Sequence, residues 1–193
     1  MATAQERVAA SYSASRFGGP GRVLEYGQDD GDLTVYVLSK EDSPVPGAVS
    51  YSTIGMSNFD NALLSNDDVP LRVELVSVAS SRWSIVARAL SGCAFNVGTG
   101  EFRSKPGVVF PGVFEGYGEP VTTPHAFMWY PFSWDVEFDG LRYENLQIEW
   151  LQVIPITDAE VELVRDSGAE ELVDRLEHLT REELWSLDRA SVA

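Results

Sequence analysis

Apolar Leu33, Val35 and Val37 alternate with Thr34 and Tyr36, the period-two pattern of a strand. Residues 49–54, rich in β-branched and aromatic side chains, predict a second strand. Leu71, Val73 and Leu75 alternate with Arg72 and Glu74, which predicts a strand with one buried and one solvated face. The period then lengthens. Trp83, Val86, Ala87, Leu90 and Ala94 fall at helical spacings, and Ile85, Ala89 and Cys93 widen the apolar stripe. Ser80 or Ser81 is expected to cap this helix, with Gly98 just past its end. Residues 98–124 are rich in Gly, Pro and Thr and hold one short strand at 107–111. Alternating runs flank Asp139-Gly140 within residues 136–143, which predicts a hairpin turning there. Leu146, Ile148, Trp150 and Ile154 mark a long strand ending at Pro155.

Helices are expected at both ends. Residues 3–16 suit a helix with Val8 and Tyr12 on one face, closed by the turn-rich stretch 17–21. Thr157 and Glu160 have the spacing of a capping box, with Ile156 and Val161 as its hydrophobic staple. Gly168 is the expected stop, and a second helix follows with Leu172, Val173, Leu176 and Leu179 facing inward. Thr180 and Glu183 repeat the capping box and Leu179 and Leu184 the staple, opening a last turn around Trp185. The pattern predicts one α+β domain over residues 1–193: a mixed, largely antiparallel sheet with helices packed against it and a helical C-terminus.

Composition supports a large core, since 44% of the 193 residues are hydrophobic. A domain of this size buries roughly 70% of its unfolded surface and needs no staple. The lone Cys93 cannot form an internal disulfide. The N-terminus has no basic start followed by an apolar run, and no stretch approaches the length of a membrane span. The expected compartment is the cytoplasm. Charge alters the picture more: fourteen basic against thirty acidic residues give −16. From residue 157 onward there are eleven acidic and four basic residues, a net −7. Such a chain is repelled by nucleic acid and anionic lipid and attracts a basic protein from a distance. The acidity also serves solubility, and the C-terminal run suits a solvated helix face.

Motifs for catalysis are missing. Two histidines, His125 and His178, and one cysteine lack the spacing of a structural zinc site. There is no His-Glu-x-x-His helix and no Gly-x-Ser-x-Gly elbow. Gly98-Thr-Gly100 follows a helix rather than a strand and has Arg103 in place of the third glycine, so it fails as a dinucleotide loop. A Cys93–His125 nucleophile pair requires an accessible thiol, whereas Cys93 lies in an apolar stripe and reads as core. The acid pairs Asp29–Asp30 and Asp67–Asp68 read as turn or cap residues, without the alternation of an EF-hand. No catalytic residue, cofactor site or metal site is expected.

Residues 127–134, Phe-Met-Trp-Tyr-Pro-Phe-Ser-Trp, place six large apolar side chains in eight positions. A strand points successive side chains to opposite faces, so they cannot all enter one core. Either some stand at the surface or helices cover both faces. Trp129, Tyr130 and Trp134, flanked by Asp135 and Glu137, are therefore candidate partner-binding residues. Asp158, Glu162 and Asp166, spaced by four on the first C-terminal helix, are a second candidate set.

The order of segments resembles the bacterial branch of the suppressor-of-fused family over nearly the whole length. The most specific stretch is Trp150-Leu-Gln-Val-Ile-Pro-Ile-Thr-Asp-Ala-Glu-Val-Glu-Leu163, a strand passing through Pro-Ile-Thr into an acidic helix. Leu184-Trp-Ser-Leu-Asp-Arg-Ala-Ser-Val192 is similar to the family's ending. Tyr51-Ser-Thr-Ile-Gly-Met-Ser57, Arg72-Val-Glu-Leu75, Pro124-His125 and the 17–20 turn match as well. The resemblance implies protein binding rather than catalysis. Animal members sequester transcription factors by clasping a peptide with the help of a second domain that this chain lacks. Bacterial members stand beside polymorphic toxins as immunity proteins. The expected function is stoichiometric neutralisation of a cognate toxin, a basic protein partner. The alternatives are a regulatory adaptor that clasps a partner's peptide and an enzyme of unrecognised chemistry.

Overall fold

The computed structural model describes residues 2–28 and 31–193; the expected turn at Asp29–Asp30 lies outside the described residues. Nine strands form one sheet: β1 (Arg22–Gly27), β2 (Thr34–Glu41), β3 (Ala48–Ile54), β4 (Leu63–Leu64), β5 (Pro70–Ser80), β6 (Val109–Phe110), β7 (His125–Trp129), β8 (Leu141–Tyr143) and β9 (Leu146–Ile156). The order is β1-β2-β3-β5-β9-β7-β6, with β4 on β5 and β8 on β9. All pairings are antiparallel except β5–β9, which run parallel with Leu71 opposite Gln147 and Val76 opposite Gln152. Among the described residues there are also five α-helices: α1 (Ala4–Arg16), α2 (Val86–Gly98), α3 (Asp158–Ser167), α4 (Ala169–Leu176) and α5 (Arg181–Leu184). The α+β class is as expected, mixed and mainly antiparallel. No helix among the described residues is long and apolar enough to cross a membrane.

Two cores lie on opposite faces of the sheet. On one face α2 and the 99–124 segment cover Val35, Val37, Val73, Leu75, Leu151 and Val153. On the other, α1, α3, α4 and residues 132–138 cover Val76, Val78, Ile148, Trp150, Ile154 and Ile156. β5 and β9 are therefore buried on both faces, and Glu74, expected on a wet face, has no exposure.

α1 starts at Thr3, whose side chain and Glu6 form a capping box. Its packed face is Glu6, Ala9 and Ser13, while Val8 is exposed. Val8 is thus off the packed face where it was expected, because the helix is anchored by polar Glu6 and Ser13, while Tyr12 packs beside that anchor as expected. Ser13 Oγ lies 2.8 Å from Ser52 Oγ and accepts from Trp150 Nε1 at 3.0 Å, and Tyr12 stacks on Trp150 at 4.1 Å. α2 begins at Val86 without a side-chain cap. Ser80 ends β5 instead of capping a helix. Gly98 is the last residue of α2 rather than the one beyond it, and a Cβ there would lie 2.8 Å from Leu33 Cδ1. The hairpin between β8 and β9 turns at Glu144-Asn145, not at Asp139-Gly140. Residues 133–140 instead cross the second core, where Trp134 and Phe138 pack 5.1 Å apart.

Candidate functional site

The eight candidate surface residues fall into four places. Trp134 is buried, stacks on Phe17 and donates from Nε1 to Ser50 Oγ at 2.9 Å, so it offers no surface. The loop after β7 bends it inward, which alternation along a strand did not foresee. Asp135 is exposed and pairs with Arg181 of α5 at 2.9 Å. Trp129 is half-buried at the end of β7, and Tyr130 meets it edge-on at 5.6 Å. Tyr130 is 61% exposed and, with Glu137, lines a groove.

Asp158, Glu162 and Asp166 are exposed on α3. Glu162 is paired with Arg165 at 2.6 Å. Asp158 lies 2.9 Å from His125 Nε2, and His125 Nδ1 accepts from the Gly112 N–H at 3.0 Å. That acceptor role places the neutral ring's proton on Nε2, which donates to Asp158. Both ring nitrogens are thereby occupied and neither is free to take a proton from Cys93. Cys93 itself has no exposure, and burial pushes its thiol up to about 12. Among the described residues, no cluster of His, Cys, Asp or Glu converges to hold a metal ion.

The groove, about 760 Å³ in volume, opens at the end of the sheet where the parallel pair β5–β9 begins. Leu71, Val73, Gln147, Glu149 and Leu151 form its floor. One wall is the β4–β5 turn, closed by the Ser65 N–H on Val69 at 2.8 Å with Asp68 at φ 58°. It presents Leu64, 62% exposed. Residues 104–106 form a second wall, clamped by Asn61, whose amide donates to Ser104 O at 2.7 Å and accepts from Ser104 N at 2.8 Å. Tyr130, Pro131 and Glu137 stand opposite. On the floor, burial raises the Glu149 carboxyl above the usual glutamate range, and the negative charge of Asp139 adds to this. Tyr130 and Glu137 were legible as candidates. Leu64 and Glu149 were not, because single leucines and strand acids carry no distinguishing signal.

The stretches that carry the family resemblance supply Val73 and Leu151 of the groove floor and are otherwise joined internally. Glu74 accepts from Thr53 Oγ1 at 2.5 Å, Gly55 N at 2.9 Å and Ser57 N at 3.0 Å, tying the Tyr51–Ser57 stretch to β5. Glu160 closes the α3 capping box and pairs with Arg189 at 2.5 Å, tying the α3 start to the C-terminal tail. These residues build the fold.

The chain is 32% identical over 190 residues to the immunity protein YqcF of Bacillus subtilis, covering 98% of each. Its fold is similar to that of a SUFU homologue from Neisseria gonorrhoeae, with a TM-score of 0.68 at 13% identity over 98% of this chain and 97% of that one. A Sufu–Fu complex structure matches with a TM-score of 0.65 at 13% identity, over 97% of this chain and 92% of that one. Drosophila Suppressor of Fused matches at 0.58 and 13% identity, over 82% of this chain and 42% of its own length. With the model of the suppressor of fused protein (SUFU) family matching residues 30–190 as well, the chain belongs to that family.

Proposed function

We propose that this chain is a non-catalytic immunity protein that neutralises a cognate toxin domain by stoichiometric binding in the cytoplasm. The observation that carries the reading is the end-to-end match, at 32% identity, to a protein named for immunity. Two physical features support it. The chain bears a net charge of −16, which steers a basic partner toward it. Toxins that cleave nucleic acid need basic surfaces to hold phosphates, so they suit such a partner. The groove combines exposed Leu64 and Tyr130 with acids, the mixture of apolar anchor and polar rim found at interfaces.

The test is to search the genes flanking this one in its native host for a toxin domain and to co-express the two. Rescue of growth, together with a one-to-one complex on gel filtration, is the expected result. Rescue without a complex would point to an enzyme acting on the toxin or its product, and no rescue would overturn the reading.

A further inference from the structure

Among the buried and half-buried carboxylates of the described residues, Glu74, Glu160 and Glu149 differ in how their charge is met. Glu74 has three donors. Glu160 has the two terminal guanidinium nitrogens of Arg189 and the backbone N–H groups of Thr157 and Val192. Glu149 has one donor among the described residues, the neutral amide of Gln147, and no ion pair. Partly withdrawing a carboxylate from water with one neutral donor leaves most of its hydrogen-bonding capacity free for whatever enters the groove.

The surroundings of Glu149 are arranged to keep it there. It projects to the groove face of β9, between the walls that carry Leu64 and Tyr130. Gly140, at φ +68°, lies so close that a Cβ would fall 2.5 Å from both carboxylate oxygens. The backbone thus covers one side of the group without supplying a counter-charge. Of the other acids lining the groove, Asp67 pairs with Arg142 and Asp139 pairs with Arg16 at 3.4 Å, while Glu137 has no ion pair among the described residues. Among the described residues Lys105 is the one basic lining residue, and it forms no ion pair with any of them. In the second wall the hydroxyl of Ser104 is buried without a partner among the described residues.

We infer that the groove receives an extended segment of the protein partner, whose apolar side chains pack on Leu64 and Tyr130 while a lysine or arginine pairs with Glu149. The inference rests on the protein-binding reading of this site and names the chemistry of what enters it. A cationic side chain supplies the charge-assisted hydrogen bonds that the fold withholds, in a setting where water is partly excluded. Apolar contacts give the segment its affinity, and the half-buried carboxylate selects for a basic residue at one position.

The test uses the full chain and a set of short synthetic peptides. Each is apolar at alternate positions and carries Lys, Arg, Gln or Glu at its centre. The isosteric Glu149→Gln variant keeps the Gln147 contact within reach, and near-ultraviolet circular dichroism checks its packing. Wild type should bind the Lys or Arg peptide about tenfold tighter than the Gln peptide, equivalent to about 1.4 kcal/mol. The preference should vanish in Glu149→Gln. Tyr130→Ala should weaken all peptides while keeping the order. No preference, or one that survives Glu149→Gln, overturns the inference. The toxin domain separates this from the wider proposal. If it binds wild type and Glu149→Gln equally, the pairing is wrong and immunity stands. If the peptides show the preference but the toxin does not bind, immunity is wrong and the groove chemistry stands.

Discussion

Arg189 reaches from the C-terminal tail to Glu160 with both terminal nitrogens, at 2.5 and 2.8 Å, and the two side chains are 3% and 0% exposed. The same Glu160 accepts from the Thr157 N–H at 2.9 Å, so one carboxylate starts α3 and anchors the tail. Removing one member of a buried pair leaves the other charge unpaired, at a cost of about 3–5 kcal/mol. Arg189→Ala is expected to lower unfolding stability by that amount in urea melts. A change below about 1 kcal/mol would show that the tail is held by other contacts.

Glu74 offers a second test of internal tying. Replacing it by Leu strands the Gly55 and Ser57 N–H groups and the Thr53 hydroxyl, each worth about 1–3 kcal/mol when left unsatisfied in a dry interior. Glu74→Leu is therefore expected to be among the most destabilising single changes in the sheet. Hydrogen exchange at Gly55 and Ser57 should speed up before the rest of β3 does.

The raised Glu149 carboxyl sets a pH dependence whose sign can be worked out. Burial makes the folded state hold this proton more tightly than the unfolded chain does. Stability from this group is then greatest below the ordinary glutamate value and falls as pH rises through the raised one. Glu149→Gln has no such proton. Its stability relative to wild type should therefore increase across that window, read from paired denaturation curves in buffers of rising pH. A constant difference would mean that water reaches the carboxylate freely.

The α3 acids predict a different kinetic signature. Exposed charges act mainly on association, whereas a paired charge in a groove acts on dissociation. Glu162→Lys with Asp166→Lys should leave the melting temperature nearly unchanged and slow association with the toxin domain at low salt. The effect should fade at physiological ionic strength, where the Debye length is about 8 Å. Asp158 is a poor probe because it accepts from His125.

Local chemistry was legible and assembly was not. Both C-terminal capping boxes, at Thr157–Glu160 and Thr180–Glu183, form as their spacing predicts, since each is decided within four residues. The long apolar strand and the α2 stripe are also present, because periodicity reports burial directly. β1 escaped notice because nearly all its residues are exposed and no alternation marks it. Asp139-Gly140 has the composition of a hairpin turn, yet its positive φ serves close packing on Glu149. Glu74 and Glu149 look like ordinary wet-face acids in a strand. Which of them is fully met by donors depends on segments distant in sequence, and so does the groove, whose walls come from four stretches of chain.

The parallel pairing of β5 with β9 also governs the order in which the molecule can be assembled. Ser77 donates to Val153, a partner 76 positions further along, so this junction is among the slowest to close. The antiparallel ribbon β1-β2-β3-β5 needs only short connections and can condense while later segments are still leaving the ribosome. During that interval β5 presents an apolar border, later filled by an inner strand rather than an outer one. Pulse-labelled exchange should find β2 and β3 protected before β9, with dependence on chaperones confined to the gap between the two events.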